Sequence, residues 1–160
     1  MSTQDAPLPT APRIDGPPPR MLIVRAPYYR DVVDGLSEGA VRLLREAGAT
    51  AEVIDVAGAF ELPQAIRLAM RGRERFDGFV ALGCVVKGET DHYDFICQAT
   101  MNGLMQVALQ FGIAMGAGLL TVDAIEQAVA RARLDGFNKG AEAAAAALLQ
   151  VAAARRLGAN

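Results

Sequence analysis

The chain has 160 residues, of which 52% are hydrophobic and 21% charged, enough apolar material for one core of ordinary domain size and too little charge for a disordered protein. A net charge of −2 and a pI near 5.4, with no run of five basic residues, exclude the electrostatic footprint of a nucleic-acid binder. Cys84 and Cys97 form no CxxC pair and His92 is the single histidine, which excludes a zinc cage or a redox motif and suits a reduced, cytoplasmic protein without a metal.

Residues 1–19 hold six of the eight prolines and lack the basic start and apolar run of a secretory signal, so they read as a flexible tail ahead of one domain over residues 20–160. The first predicted strand is MLIVR, 21–25, followed by the loop APYYR and a helix over about 31–47 that Gly48 ends as a C′ residue. AEVIDV, 51–56, is the second strand; in the segment after it, AGAFELPQAIRLAMRG, Pro63 suits a first helical turn and Gly72 an exit. FDGFVALGC, 76–84, is the third strand, and a helix follows from about His92 to Phe111. AMGAGLLTV, 114–122, is the fourth; then comes DAIEQAVARARL, with Asp123 and Glu126 at capping-box spacing. The last helix, GAEAAAAALLQVAAARRLG, is rich in the best helix former, and its thin side-chain layer lets a neighbour approach closely.

From Phe95 to Val122 there is no charge, a length that can span a bilayer. Gln98, Asn102, Gln106 and Gln110 recur at every fourth position and Gly112 interrupts the run, so a soluble helix with a neutral polar stripe is the better reading. Four strands alternating with helices imply a flavodoxin-like α/β fold, a three-layer α/β/α sandwich around a four-stranded parallel sheet. Ligands in such sheets bind beyond the carboxyl ends of the strands, so residues 26–30, 57–61, 84–91 and 120–123 should gather at one edge.

In KGETDH, Gly88 permits close backbone approach, Thr90 offers a hydroxyl, and the next helix presents unpaired N–H groups, which together describe an anion site. An ordinary cap by Thr90 or Asp91 fits the same letters. His92 lies in the first turn, where the helix dipole favours a neutral imidazole able to accept a proton; a surface histidine is the plainer alternative. Gly58 and Ala59 are small enough for their amides to meet a ligand, while Phe60 supplies an apolar wall and Glu61 an acceptor, or merely a first-turn carboxylate. Tyr28 or Tyr29 can stack on a planar ring. Arg131, Arg133 and Lys139 offer cations for phosphate, although charges at helix ends are common for their own reasons.

Taken in order, GAFELP, ALGCVVKGETDHYDFIC, LTVDAIEQAVARA and NKGAEAA resemble the lumazine synthase family of riboflavin biosynthesis, over residues 21–154. The resemblance implies a cofactor-free, metal-free condensation of 5-amino-6-(D-ribitylamino)uracil with 3,4-dihydroxy-2-butanone 4-phosphate. It implies that Tyr28 stacks on the pyrimidine; that Gly58, Ala59, Phe60 and Glu61 contact the ribityl chain and ring edge; and that Cys84, Val85 and Val86 line the pyrimidine pocket. Gly88, Glu89 and Thr90 would hold the phosphate, aided by Arg131 from a neighbouring subunit of a pentamer; Lys139 would come from that neighbour too, and His92 would carry protons. Pentamers in the family also pair or close into shells. Several members have a large aromatic where this chain has Ala117 and a second threonine where it has Val122, which puts the neighbour's stacking partner in doubt. The related archaeal-type riboflavin synthase, and a non-catalytic flavin- or lumazine-binding paralogue or scaffold, are the alternative readings.

Overall fold

A computed structural model of the chain describes residues 8–159; residues 1–7 of the predicted tail and Asn160 lie outside the described residues. Both faces of strand β1 (Arg20–Ala26) are apolar, so the strand must be central: Met21 and Ile23 enter one core, Leu22, Val24 and Ala26 the other. It pairs in parallel with β2 (Thr50–Asp55) on one side and with β3 (Gly78–Val86) on the other, and β3 pairs in parallel with β4 (Ala114–Val122). The order is therefore β2-β1-β3-β4.

Helix α1 (Arg30–Glu46) leads from β1 to β2, after which a 3₁₀ turn, Ala59–Glu61, and α2 (Leu62–Arg71) carry the chain back to β3. Helix α3 (His92–Phe111) joins β3 to β4, and α4 (Ile125–Ala132) and α5 (Lys139–Leu157) complete the chain. Helices α1, α4 and α5 cover one face of the sheet, with Leu36, Leu44 and Leu148 fully buried there; α2 and α3 cover the other, over Leu62, Ile66 and Leu104. The chain moves outward from β1 to β2 and then reverses to β3, so the carboxyl ends of β1 and β3 form the topological switch point where a crevice opens.

The alanines of α5 act as the sequence suggests. Ala141, Ala144 and Ala147 are buried, and contact is so close that a Cβ on Gly140 would lie 1.9 Å from the Leu36 carbonyl oxygen and one on Gly116 1.8 Å from that of Ala143. Pro63 stands in the first turn of α2, where no N–H is needed, and Gly48 takes a positive φ after α1.

Three local expectations need correction. β3 runs two residues later than predicted, because Asp77 is held outside it, accepting a 2.8 Å bond from the Arg20 N–H, while Phe76 packs under the Arg20 guanidinium. Asp123 does not cap α4: the N-cap is Ala124, and the Asp123 N–H donates instead to the Gln127 side chain at 3.0 Å. That helix also ends at Ala132, before the predicted Leu134. Residues 8–19 contain no helix or strand; Ala11 and Ile14 lie against the core on the α1 side, and Arg155 donates to the carbonyls of Asp15 and Pro17 at 2.8 and 2.9 Å.

Candidate active site

A cavity of about 500 Å³ opens at the switch point, within the size range of small-molecule pockets. Each part of its wall follows from local backbone chemistry. β1 ends at Ala26, and the turn after it presents Tyr28, which is 77% exposed and meets Tyr29 edge-to-face at 5.1 Å. A residue this apolar and this open is a free stacking platform. Beyond β2, the Glu61 N–H donates to the Gly58 carbonyl at 3.2 Å and closes the 3₁₀ turn, which leaves Phe60 49% exposed and sets Glu61 on the cavity wall.

The floor is the end of β3. Cys84, Val85 and Val86 line it, and Cys84 is 4% exposed. Burial pushes the Cys84 thiol up to about 11, so it is neutral and poorly nucleophilic at physiological pH; the strand offers shape and backbone here. Gly88, Thr90 and His92 complete the rim. Asp91 is the N-cap residue of α3 yet its carboxylate makes no capping bond, so first-turn N–H groups stay unclaimed by a side chain and point outward at the positive end of the dipole. Added atoms at Gly88 would meet nothing within 4 Å. The ordinary cap by Asp91 is not formed.

Of the predicted site residues, Tyr28, Gly58, Ala59, Phe60, Glu61, Cys84, Val85, Val86, Gly88, Thr90 and His92 thus share one cavity. Glu89 lies between Gly88 and Thr90 in the loop but not on the cavity wall. Ala117, Arg131 and Lys139 are elsewhere, around a second cavity of about 320 Å³ between β4, α4 and α5. Lys139 pairs with Glu142 at 2.5 Å and Arg131 donates to the Gln127 carbonyl at 2.8 Å. Tyr93 and Ile96 also face the first cavity and were not singled out in the sequence. Ile96 lies one turn on from His92, but nothing in the sequence says which side of α3 faces the crevice. Burial raises the Tyr93 hydroxyl above its ordinary value, leaving it a neutral hydrogen-bonding group.

Behind β1, Arg25 binds Asp55 through both carboxylate oxygens, at 2.5 and 3.2 Å, and Asp34 at 2.8 Å, tying β1, β2 and α1 together beneath the Tyr28 turn. Among the described residues no three His, Cys, Asp or Glu side chains gather as a metal-ligand set, and no helix is long and apolar enough to cross a membrane.

Comparison with known proteins shows the family. The family model described as 6,7-dimethyl-8-ribityllumazine synthase matches residues 18–155. Proteins named 6,7-dimethyl-8-ribityllumazine synthase from Agrobacterium fabrum and Nitrobacter winogradskyi are each 45% identical to the chain, over 144 and 142 residues. Those alignments cover 88% and 86% of this chain and 97% and 87% of the respective relatives. 6,7-Dimethyl-8-ribityllumazine synthase 1 of Rhizobium meliloti is 44% identical over 147 residues, 89% of this chain and 96% of its own length.

Proposed function

The chain belongs to the 6,7-dimethyl-8-ribityllumazine synthase family, and from that premise we propose how its own residues carry out the family's reaction. The protein is a transferase of riboflavin biosynthesis: it condenses 5-amino-6-(D-ribitylamino)uracil with 3,4-dihydroxy-2-butanone 4-phosphate to give 6,7-dimethyl-8-ribityllumazine, phosphate and water. The 5-amino group forms an imine with the ketone and expels water. Phosphate then leaves by elimination, and the ribitylamino nitrogen closes the second ring with loss of another water.

The carrying observation is the single cavity that unites an exposed aromatic, the backbone of β3 and an uncapped helix start bearing the histidine. The pyrimidine stacks on Tyr28 and lies against Val85 and Val86, while Ala59, Phe60 and Glu61 take the ribityl chain and the ring edge. The first turn of α3, with Gly88, Glu89 and Thr90, receives the phosphate, whose charge is matched by the helix N-terminus. His92 moves protons between the amine, the carbinol oxygen and the leaving group. Much of the rate comes from holding two substrates in register, which alone supplies up to about 7–11 kcal/mol in well-aligned systems.

Arg131 and Lys139 serve the cavity of a neighbouring subunit in a pentamer, which in larger forms pairs or closes into a shell. Two features support this assembly: the cations line a different cavity of their own chain, and α3 leaves Phe95, Met101, Met105 and Leu109 exposed. The protein works in the cytoplasm, a reading that its two free cysteines support.

Lumazine absorbance on mixing purified protein with both substrates tests the activity, with His92→Ala alongside. Turnover should fall by about 10²–10⁴ in the variant. Tight binding of lumazine or flavin without turnover by the parent protein would assign the chain to a non-catalytic branch of the family.

A further inference from the structure

Asn138 is 4% exposed and precedes α5. Its side-chain oxygen accepts from the Ala141 N–H at 2.9 Å, an ordinary N-cap bond. Its side-chain nitrogen does something a cap does not require: it donates to the carbonyls of Gly35 in α1 and Ala132 at the end of α4, both at 2.9 Å, with the Arg133 carbonyl at 3.3 Å. Two glycines of α1 admit this junction. A Cβ on Gly39 would lie 2.1 Å from the Asn138 side-chain oxygen, and one on Gly35 2.6 Å from the Ala132 carbonyl.

The residues on either side of this tether carry the cations of the second cavity. Arg131 stands one residue before Ala132, Lys139 one after Asn138, and both line the same 320 Å³ space with Glu142 as its carboxylate. Two cations against one anion leave a net positive charge suited to a phosphate ester. Residues 133–136 between are exposed and Phe137 is half-buried, and their remaining bonds are local, such as Arg133 to Asp135 and the Asn138 N–H to the Gly136 carbonyl.

We propose that Asn138 is a positioning residue for the phosphate-bearing substrate: its carboxamide fixes the spacing of Arg131 and Lys139 by tying the end of α4, the start of α5 and α1 at one point. This rests on the proposed function, in which those two cations serve the phosphate-receiving cavity of a neighbouring subunit. Asn138→Ser keeps an uncharged N-cap oxygen and removes the carboxamide N–H groups that reach the Gly35 and Ala132 carbonyls, leaving one hydroxyl on a shorter side chain, so α5 still starts normally. Ile66→Val, in the opposite core, supplies a control of modest destabilisation.

In the full-length protein, Asn138→Ser should raise the KM for the butanone phosphate and the Ki of inorganic phosphate by roughly tenfold or more. The KM for the pyrimidine should stay at the parent value, and Ile66→Val should shift neither constant. Equal rises in both KM values, or no rise in either, overturn the proposal. Should the parent protein form no lumazine, the function itself fails, and the proposal is then decided by calorimetry with inorganic phosphate alone. A weaker Kd in Asn138→Ser upholds it; an unchanged Kd, or no binding by the parent, overturns it.

Discussion

Ala117 makes a prediction about affinity rather than chemistry. It is exposed on β4 beside the second cavity, where a methyl group offers little to stack on. Ala117→Phe should lower the KM for the pyrimidine by about tenfold, at the low end of the roughly 1–3 kcal/mol that stacking contributes per base, with kcat little changed; steady-state kinetics with each substrate varied in turn check it, and an unchanged KM sinks the idea. Cys84 makes a different prediction, on stability. Burial raises its thiol from 9.0 to about 11, so the folded state holds this proton more tightly than the unfolded chain. The resulting stabilisation is complete below the unfolded value and disappears as pH rises through about 11. Urea midpoints between pH 8 and that limit should fall with pH in the parent and fall less in Cys84→Ala. Tyr29 and Tyr93, both raised by burial, keep some alkaline slope in the variant, whereas identical slopes would deny Cys84 any part in it.

At the scale of elements, periodicity and punctuation read well where one force dominates. α3 and β4 lie where the apolar pattern puts them, His92–Phe111 and Ala114–Val122, since Gly112 takes the positive φ that stops the helix between them. Edges decided by side-chain competition were less legible. The start of β3 depends on Asp77 being drawn to the Arg20 N–H, a contact across 57 positions that no window of sequence shows, and the start of α4 on Gln127 outcompeting Glu126 for the Asp123 N–H, a local choice between two side chains that the capping pattern does not decide. The first cavity was largely legible because four strand ends must converge at a switch point. Its Tyr93 and Ile96 were not, because composition does not say which side of a helix faces the crevice. Nor does spacing along the chain show that Arg131 and Lys139 sit around a separate cavity; the family resemblance placed them with a neighbour, and local pattern alone would have put them beside His92.

On the whole-molecule scale, that separation and the surface of α3 pose the same question. Phe95 at 68%, Met105 at 59% and Leu109 at 76% exposed fall on one side of the helix together with Gln98, Asn102 and Gln106, a stripe without charge from end to end. Large apolar surface of this kind marks an interface, and neutral amides among the apolar groups allow copies of one helix to meet without repelling one another. Met105→Glu would place a carboxylate at that contact once per subunit, where burying an unpaired charge costs several kcal/mol. Sedimentation velocity should then show the assembly broken to monomers. Lumazine formation should be lost with it, because the cavity holding His92 and the cavity holding Arg131 and Lys139 would no longer face each other. A variant that stays assembled would move the interface away from α3, and a monomer that still turns over would mean that one chain completes its own site.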